Sequence, residues 1–294
     1  MTDHVSLERP FAFAVSDLHG RRRRYETLFQ AVRRSQPDLV FIAGDLLPHG
    51  FSCTSDAAGD GDFLLDYLPA RLRALRDEMG ASYPPIFVIL GNDDPRANEV
   101  EVKRYEDEGL WTYLHNRCVT WREWTICGYA GVPPSPFQLK DWERYDVSRY
   151  VDPGCVSPEE GVRTVETDMR EVRFGTIAGD LNELKPECEP DRTIWLFHSP
   201  PYHCALDRAA LDGRMIDYVP MDVHVGSIAI QRFIELHRPA ITLHGHIHEA
   251  PRLTGRWRET FGPTHSFQCA HDGEELGLVT IPLNNPQAAR RDLI

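Results

Sequence analysis

Short apolar runs that each end in polar residues recur along the first third of the chain, and they constrain its fold more than any other feature. Residues 11–16, 38–44 and 85–90 are typical of buried strands, and the segments 21–36 and 61–79 between them carry apolar residues at helical spacing. This βαβαβ order predicts an α/β fold in which helices flank a sheet. Ligand sites in such folds lie at the carboxyl ends of the strands.

The second half of the chain predicts a further sheet, which residues 122–131 enter as a strand. Later apolar runs predict, in chain order, a strand within 193–201, a helix within 226–239, and strands within 240–248 and 275–283.

Residues 132 to about 192 differ from the regions on either side. They are rich in proline and charged residues and contain one predicted helix at roughly 166–184. We interpret them as an insertion in a single domain spanning 1–294. The insertion is a candidate for a lid or for an interface between identical chains, so a homo-oligomer stays open.

Charge and hydropathy limit the partners and the compartment. Thirty-two Lys and Arg face 45 Asp and Glu, a net charge of -13, which disfavours nucleic-acid polymers and membrane surfaces. The apolar runs are far shorter than the roughly 20 residues of a membrane helix, and the first residues lack the pattern of a secretory signal. We therefore expect a cytoplasmic protein. Its seven cysteines, odd in number and without CxxC spacing, are expected to be reduced thiols.

The polar residues at the strand ends form an ordered series. The segments VSDLHG, IAGDL, ILGNDD, LFHSPP and LHGHIH supply, respectively, Asp17 and His19, Asp45, Asn92, His198, and His246 and His248. If their strands share one sheet or two stacked sheets, all seven side chains meet at one rim. Each short motif alone is more often a turn or a core histidine, but the complete series favours a common site.

The types of these side chains indicate a metal site. Asp17/His19 and His246/His248 are spaced i, i+2, which in an extended chain directs both side chains to one side. Imidazole nitrogens mixed with carboxylate and amide oxygens suit Mn, Fe, Zn or Co better than Ca or Mg. Seven ligands exceed the needs of one tetrahedral ion and fit two ions that share a bridging carboxylate.

The order D-x-H, G-D, G-N, H, G-H-x-H resembles the calcineurin-like metallophosphoesterases from Phe11 to about Leu283. A narrower resemblance, carried by HSPPYHCALDR, HVGSIAIQRFIELHRP and HGHIHE, is to the Icc-related branch. The resemblance implies a four-layer α/β/β/α sandwich of two mixed sheets and two divalent metals, with Mn favoured. A hydroxide held between the metals would be the nucleophile. Position by position, it implies one metal at Asp17, His19 and His248, a second at Asn92, His198 and His246, and Asp45 as the bridge.

The chain departs from this family at Asp93. Many members have a histidine there that contacts the phosphate and assists the leaving group. A carboxylate repels a phosphate dianion, and a phosphodiester carries one negative charge fewer than a monoester. We therefore predict phosphodiesterase activity on a small diester, with Asp93 placed among the catalytic residues, although a tolerated turn residue is an equal alternative. Asp94 is expected to be a supporting or structural carboxylate.

Other side chains are candidates for the remaining roles. His224 is a candidate acid for the leaving group, and His203 for contact with substrate, because both lie in segments that join the metal-binding strands; a surface histidine is the alternative for each. Arg21 or Arg22 could clamp a substrate phosphate, although a solvated arginine face explains such a run more often. His265 and His271, in a C-terminal segment that departs from the related branch, receive no role.

Competing functions remain open at this point. A phosphomonoesterase of the same fold or a noncatalytic metal-binding scaffold are the main alternatives to a phosphodiesterase. The net charge disfavours a nuclease, and Asp93 disfavours a phosphoprotein phosphatase.

Overall fold

A computed structural model of the chain describes residues 9–48, 61–184, 186 and 189–294. Its first sheet has six strands in the order β14-β13-β1-β2-β3-β4. The four strands β1 to β4 run parallel, and β13 and β14 add antiparallel strands at one edge. These strands are β1 (Phe11–Val15), β2 (Leu39–Ala43), β3 (Ile86–Ile89), β4 (Thr112–Tyr113), β13 (Gly277–Pro282) and β14 (Arg290–Leu293).

The second sheet also has six strands, in the order β11-β12-β10-β7-β6-β5. Its central strands β6, β7, β10 and β12 are parallel, and β5 and β11 close the two edges antiparallel. They are β5 (Arg117–Trp121), β6 (Trp124–Tyr129), β7 (Thr193–Phe197), β10 (Ile241–His244), β11 (Arg258–Phe261) and β12 (Thr264–Gln268). A two-stranded hairpin, β8 (Met215–Ile216) and β9 (Val219–Pro220), stands apart from both sheets.

Helices cover the outer faces of the two sheets. The α-helices of the described residues are α1 (Arg22–Ser35), α2 (Leu68–Met79), α3 (Glu99–Asp107), α4 (Met169–Phe174), α5 (Ile177–Leu184), α6 (Ile228–His237) and α7 (Ala250–Thr254), of which α1, α2, α3, α5 and α6 contribute to the two main apolar clusters. One continuous core joins the first sheet and its helices to the inner face of the second, while α5 and α6 pack on the outer face of the second. The four-layer α/β/β/α sandwich is therefore confirmed.

The inner core explains why the strands are buried on both faces. Val88 of β3 and Leu196 of β7 have no exposed surface and belong to the same apolar cluster. On the outside, Trp195 of β7 packs against Phe233 of α6, with ring centroids 4.8 Å apart. Strands covered on both sides are expected to be almost continuously apolar, as these are.

The region 132–192 contains two short helices where the sequence predicts one. Asp168 begins α4 by accepting a hydrogen bond from the backbone N–H of Arg170 at 2.8 Å. Gly175 then adopts extended backbone angles and separates α4 from α5. A glycine between two helical segments is a natural place for this break because it has little preference for the helix.

The cysteine prediction needs one correction. Cys118 on β5 lies directly opposite Cys127 on β6, and the two form a disulfide bond. The expectation of reduced thiols is wrong for this pair because the antiparallel register brings together two residues whose spacing in the sequence matches no motif. Cys155, Cys204 and Cys269 are free, and Cys53 and Cys188 lie outside the described residues.

Within the described part of the chain, no helix has both the length and the apolar character needed to cross a membrane.

Candidate metal centre

The carboxyl ends of the central strands of both sheets meet at one edge of the sandwich. The Nδ1 of His198, just after β7, donates a hydrogen bond to the carbonyl oxygen of Ala43, the last residue of β2, at 2.9 Å. Gly44 permits this approach, since a Cβ at that position would lie 2.3 Å from the same nitrogen. The strand ends that carry the predicted ligands are therefore in direct contact across the two sheets.

Four of the predicted ligands form a compact cluster. One donor atom from each of Asp17, His19, Asp45 and His248 lies within 4.8 Å of all the others. The Nε2 of His248 is 2.9 Å from Asp17 Oδ1 and 3.1 Å from the Nε2 of His19. Two carboxylates and two imidazoles at this separation are a donor set that suits a divalent transition metal.

The other three predicted ligands lie together beside Asp45. The Nε2 of His198 is 3.3 Å from Asp45 Oδ2 and 3.0 Å from the Oδ1 of Asn92. The imidazole of His246 packs beside that of His198, with centroids 5.3 Å apart. Asp45 Oδ2 thus lies near both groups of donors, since it is 3.9 Å from the Nε2 of His19 and 3.3 Å from that of His198.

The backbone reaches this arrangement through left-handed turns. Asp17, His19, Asp45 and His246 have φ values of 56°, 48°, 50° and 69°. Such angles are uncommon outside glycine and often occur at functional sites, where the surrounding structure enforces them. The extended-chain argument for the i, i+2 pairs is therefore wrong. His246 turns toward His198, whereas His248 turns toward Asp17 and His19.

Buried carboxylates make this site attractive to positive charge. Burial lowers the pKa of His198, but Asp45 and Asp17 outweigh that effect and raise it to about 10. The pKa of His248 is also raised, against the effect of burial, mainly by Asp17. The same electrostatic attraction would act on metal cations, so the side chains present fit a metal centre in charge as well as in donor type.

Asp94 joins two of the loops that carry candidate ligands. Its fully buried carboxylate accepts hydrogen bonds from the backbone N–H groups of Leu46, Leu47 and Gly91 at 2.8–3.0 Å. Asp94 therefore ties the loop after β2, which carries Asp45, to the loop after β3, which carries Asn92.

Asp93 lies at the edge of the cluster. Its backbone N–H donates to Asp45 Oδ1 at 2.9 Å, and its side chain accepts a hydrogen bond from Asn92 Nδ2 at 3.0 Å. The other carboxylate oxygen lies 3.8 Å from the Nδ1 of His19, and 26% of the side chain is exposed. A negative charge is therefore held beside the candidate ligands and within reach of solvent.

Part of the predicted insertion contacts this loop. The indole N–H of Trp142 donates to the carbonyl oxygen of Asp94 at 2.6 Å, and Asp141 accepts a hydrogen bond from the backbone N–H of Arg96 at 2.8 Å. Behind them, Lys140 and Glu143 form a fully buried ion pair. This segment supports the Asn92–Asp94 loop from outside the sandwich; whether the region also serves as a lid or an interface stays a prediction.

The arginines after β1 have different surroundings from one another. Arg21 Nη1 donates to the carbonyl oxygen of Gly273 at 3.2 Å, and the guanidinium of Arg22 lies 4.4 Å from the ring centroid of Tyr67. Arg24, which the sequence did not single out, is buried and donates to the carbonyl oxygen of Asp17 at 2.7 Å and to that of His271 at 3.0 Å. Arg24 therefore fixes the loop of Asp17; the clamp role of Arg21 or Arg22 stays a prediction.

His203 and His224 lie together, with ring centroids 4.7 Å apart. His224 Nδ1 lies 2.7 Å from Oδ1 of Asp207, a buried carboxylate that no sequence pattern indicated. The signal that could have found Asp207 is weak, because a single aspartate between two histidines matches no spacing rule. His265 lies within β12, and His271 follows it in the loop that Arg24 contacts.

Comparisons with known proteins agree with this geometry. A model of the family described as calcineurin-like phosphoesterase matches residues 13–250. The chain belongs to this family. It is a metal-dependent phosphoesterase, and the four clustered donors are a candidate site for its metal.

Solved structures confirm the fold of this phosphoesterase. One crystal structure, 18% identical, matches 97% of this chain and 98% of its own with a TM-score of 0.58. The protein TT1561 of Thermus thermophilus, 17% identical, matches 98% of this chain and 99% of its own with a TM-score of 0.53. No curated protein matches the chain. At these identities the similarity establishes the fold alone.

Proposed function

We propose that this phosphoesterase is a phosphodiesterase that acts on a small diester with two divalent metal ions. One ion would be held by Asp17, His19 and His248. The other ion would be held by Asn92, His198 and His246, and Asp45 would bind both ions. When bound, the ions would neutralise phosphoryl oxygens and supply an activated water. Manganese is the ion we favour, from the mixed nitrogen and oxygen donors.

The position of Asp93 is the observation that supports a diester. Its carboxylate lies 3.8 Å from the Nδ1 of His19, a candidate metal ligand, and part of it reaches the surface of the site. A phosphate held by the cluster would meet this negative charge. A monoester dianion is repelled more strongly than a diester monoanion, because Coulomb energy scales with the product of the charges.

The chain orients its own ligands for this task. The hydrogen bond from His198 Nδ1 to Ala43 leaves the Nε2 of His198 directed toward Asp45 and Asn92. Orientation of a ligating imidazole by a carbonyl on its other nitrogen is a general feature of metal sites. Arg21, Arg22 and His203 remain our candidates for substrate contacts, and His224 for protonation of the leaving group.

Matched substrates test the proposal. The manganese-reconstituted protein would be assayed on p-nitrophenyl phosphate and on bis-p-nitrophenyl phosphate, with its metal content measured in parallel. We expect two ions per chain and a higher kcat/KM for the diester. Asp45→Asn, which removes the shared carboxylate charge, is expected to lose both activity and metal.

Two outcomes would contradict the proposal in different ways. A higher kcat/KM for the monoester would show that Asp93 does not repel the dianion and that the chain is a phosphomonoesterase. Metal binding without turnover of either ester would instead support the noncatalytic scaffold.

A further inference from the structure

Asp207 is a fully buried carboxylate that collects four hydrogen bonds. It accepts from the backbone N–H groups of His203, Cys204 and Gly226 at 2.9, 3.0 and 3.1 Å, and it is 2.7 Å from the Nδ1 of His224. These donors come from two segments that are separated along the chain. A carboxylate in such a position fixes the two segments relative to each other.

The contact with His224 also determines which of its ring nitrogens is free of Asp207 and could contact a substrate. An ionised carboxylate only accepts hydrogen bonds, so Nδ1 of His224 carries the proton in this contact. The Nε2 is then the nitrogen directed away from Asp207. The side chain of His224 is 22% exposed, whereas that of Asp207 is fully covered. The pair therefore presents one imidazole nitrogen outward from a buried anchor.

This pair is attached to the loop that carries two of the candidate metal ligands. Val225, the neighbour of His224, packs on a small apolar cluster that includes Ile247, the residue between His246 and His248. Gln268 adds a polar link, because its Nε2 donates to the carbonyl oxygens of Leu206 and Gly245, both at 2.9 Å. The Asp207 segment and the loop after β10 thus share apolar and hydrogen-bonded contacts.

We propose that Asp207 is a positioning residue that holds His224 as the acid for the leaving group. The inference rests on the proposed phosphodiesterase function and adds to it the group that aligns the acid. As the oxygen of water forms its bond to phosphorus, the bond to the leaving oxygen breaks and its electron pair stays on that oxygen. His224 acts as the imidazolium, which carries a proton on both Nδ1 and Nε2. Its Nε2 proton moves to the leaving oxygen, the imidazole that stays protonated on Nδ1 regains an Nε2 proton from solvent, and the proton lost by water passes to solvent.

A purely structural role for Asp207 is the alternative, since three of its four partners are backbone groups. The two roles differ in their dependence on the leaving group. A general acid matters most when the leaving oxygen is strongly basic and little when it is a good leaving group such as p-nitrophenolate. A loop that merely loses its shape would lower the rate for every leaving group alike.

The experiment uses the manganese-loaded protein and a series of methyl aryl phosphodiesters, from p-nitrophenyl to unsubstituted phenyl. For His224→Ala we expect kcat on the phenyl diester to fall roughly 100-fold, against less than about threefold on the p-nitrophenyl diester. For Asp207→Asn we expect the same pattern with a smaller loss, about 10- to 30-fold on the phenyl diester. Asp212→Asn, which alters an exposed carboxylate of the same segment, should follow the unmodified protein.

The double variant separates positioning from structure. If Asp207 acts through His224, Asp207→Asn adds little to the loss in a His224→Ala background, because groups that act as a unit are not additive. Equal losses for all leaving groups, or additive losses in the double variant, would overturn the inference. Nitrogen-15 spectra of His224 give a readout independent of turnover: in the neutral imidazole, Asp207→Asn should redistribute the single ring proton between Nδ1 and Nε2.

Failure of this inference is distinguishable from failure of the proposed function. An unmodified protein that turns over no diester would refute the phosphodiesterase proposal whatever the variants do. An active protein with a leaving-group dependence unchanged by either variant would refute the roles of His224 and Asp207 and leave the phosphodiesterase proposal in place.

Discussion

Replacing Asp93 by asparagine isolates the charge that we hold responsible for diester preference. The Oδ1 of an asparagine can still accept the hydrogen bond that Asn92 Nδ2 gives to Asp93, and the backbone N–H still reaches Asp45. The substitution therefore keeps the shape and the hydrogen bonds of the loop and removes one negative charge.

The expected magnitude follows from the position of the carboxylate. It lies 3.8 Å from a candidate ligand nitrogen and is 26% exposed, so solvent screens it in part. For one extra unit of charge on the substrate roughly 6 Å away, an effective dielectric constant of about 20–40 gives about 1.4–2.8 kcal/mol. Because about 1.4 kcal/mol corresponds to tenfold, Asp93→Asn should raise monoester relative to diester kcat/KM roughly 10- to 100-fold.

The assay is the ratio of kcat/KM values for p-nitrophenyl phosphate and its diester, with both the unmodified protein and the variant saturated in manganese. Because both kcat/KM values come from one preparation, their ratio does not depend on the fraction of the protein that is active. Asp107→Asn, the same change at the exposed end of α3, is the control for net charge and should leave the ratio unaltered. An unchanged ratio in Asp93→Asn, with metal content preserved, would refute the electrostatic explanation of specificity.

Three further predictions concern the centre and its support. Gly91→Ala should lose metal, measured by elemental analysis of the folded protein, because its Cβ would lie 2.3 Å from Asp45 Oδ1 and 2.6 Å from the Nε2 of His198. Removal of metal by a chelator should abolish turnover and lower Tm, since a ligand that binds only the folded state stabilises it. Lys140→Met should cost about 3–5 kcal/mol of unfolding free energy by leaving a buried carboxylate unpaired. Burial already raises the pKa of Glu143 to about 7 despite Lys140. Because a raised pKa in the folded state means that ionisation of Glu143 destabilises the fold, stability falls as pH rises through that pKa. Urea titrations should therefore show that Lys140→Met loses more unfolding free energy at pH 8 than at pH 5.

The sequence predicted the location of the metal centre because that location depends on strand order. Parallel strands bring their carboxyl ends to one edge, so residues after β1, β2, β3, β7 and β10 are expected to meet if those runs are strands of one sheet or of two stacked sheets. The apolar runs were long and clear enough to establish this. Which donors form each group was implied by the family resemblance, and the clustering of Asp17, His19, Asp45 and His248 agrees with it.

The sequence could not predict Arg24 and Asp207 as groups that support the site. Both bind backbone atoms of segments that are separated from them along the chain, Arg24 the carbonyl oxygen of His271 and Asp207 the N–H of Gly226. Such contacts leave no periodic pattern in the sequence. The left-handed turns at Asp17 and Asp45 were missed for a related reason. Their φ values are enforced by the surrounding structure, whereas aspartate by itself prefers other angles.

The edge strand β11 and its neighbour β12 were also beyond sequence patterns. β11 and β12 pair antiparallel around Gly262, and β12 also pairs in parallel with β10. One face of β12 is polar and buried. On it, Ser266 accepts a hydrogen bond from Thr242, and Gln268 donates to a backbone carbonyl oxygen. Because three of the four buried residues of β12 are polar and only Phe267 is apolar, the strand lacks the alternation of apolar and polar residues that would predict it.

The charge of the centre links these structural details to the proposed specificity. Asp93 places one negative charge beside the candidate ligands. A neutral side chain or a histidine at this position would add no negative charge. A phosphodiester carries one negative charge fewer than a monoester. The total negative charge at the site is therefore the same with Asp93 and a diester as with a neutral side chain and a monoester. Rotation of this carboxylate away from the site would break hydrogen bonds. Its side chain accepts one from Asn92 Nδ2, and its backbone N–H donates one to Asp45 Oδ1. Because Asp94 and Trp142 hold the same loop from behind, we expect the selectivity for low substrate charge to be a fixed property of the folded chain.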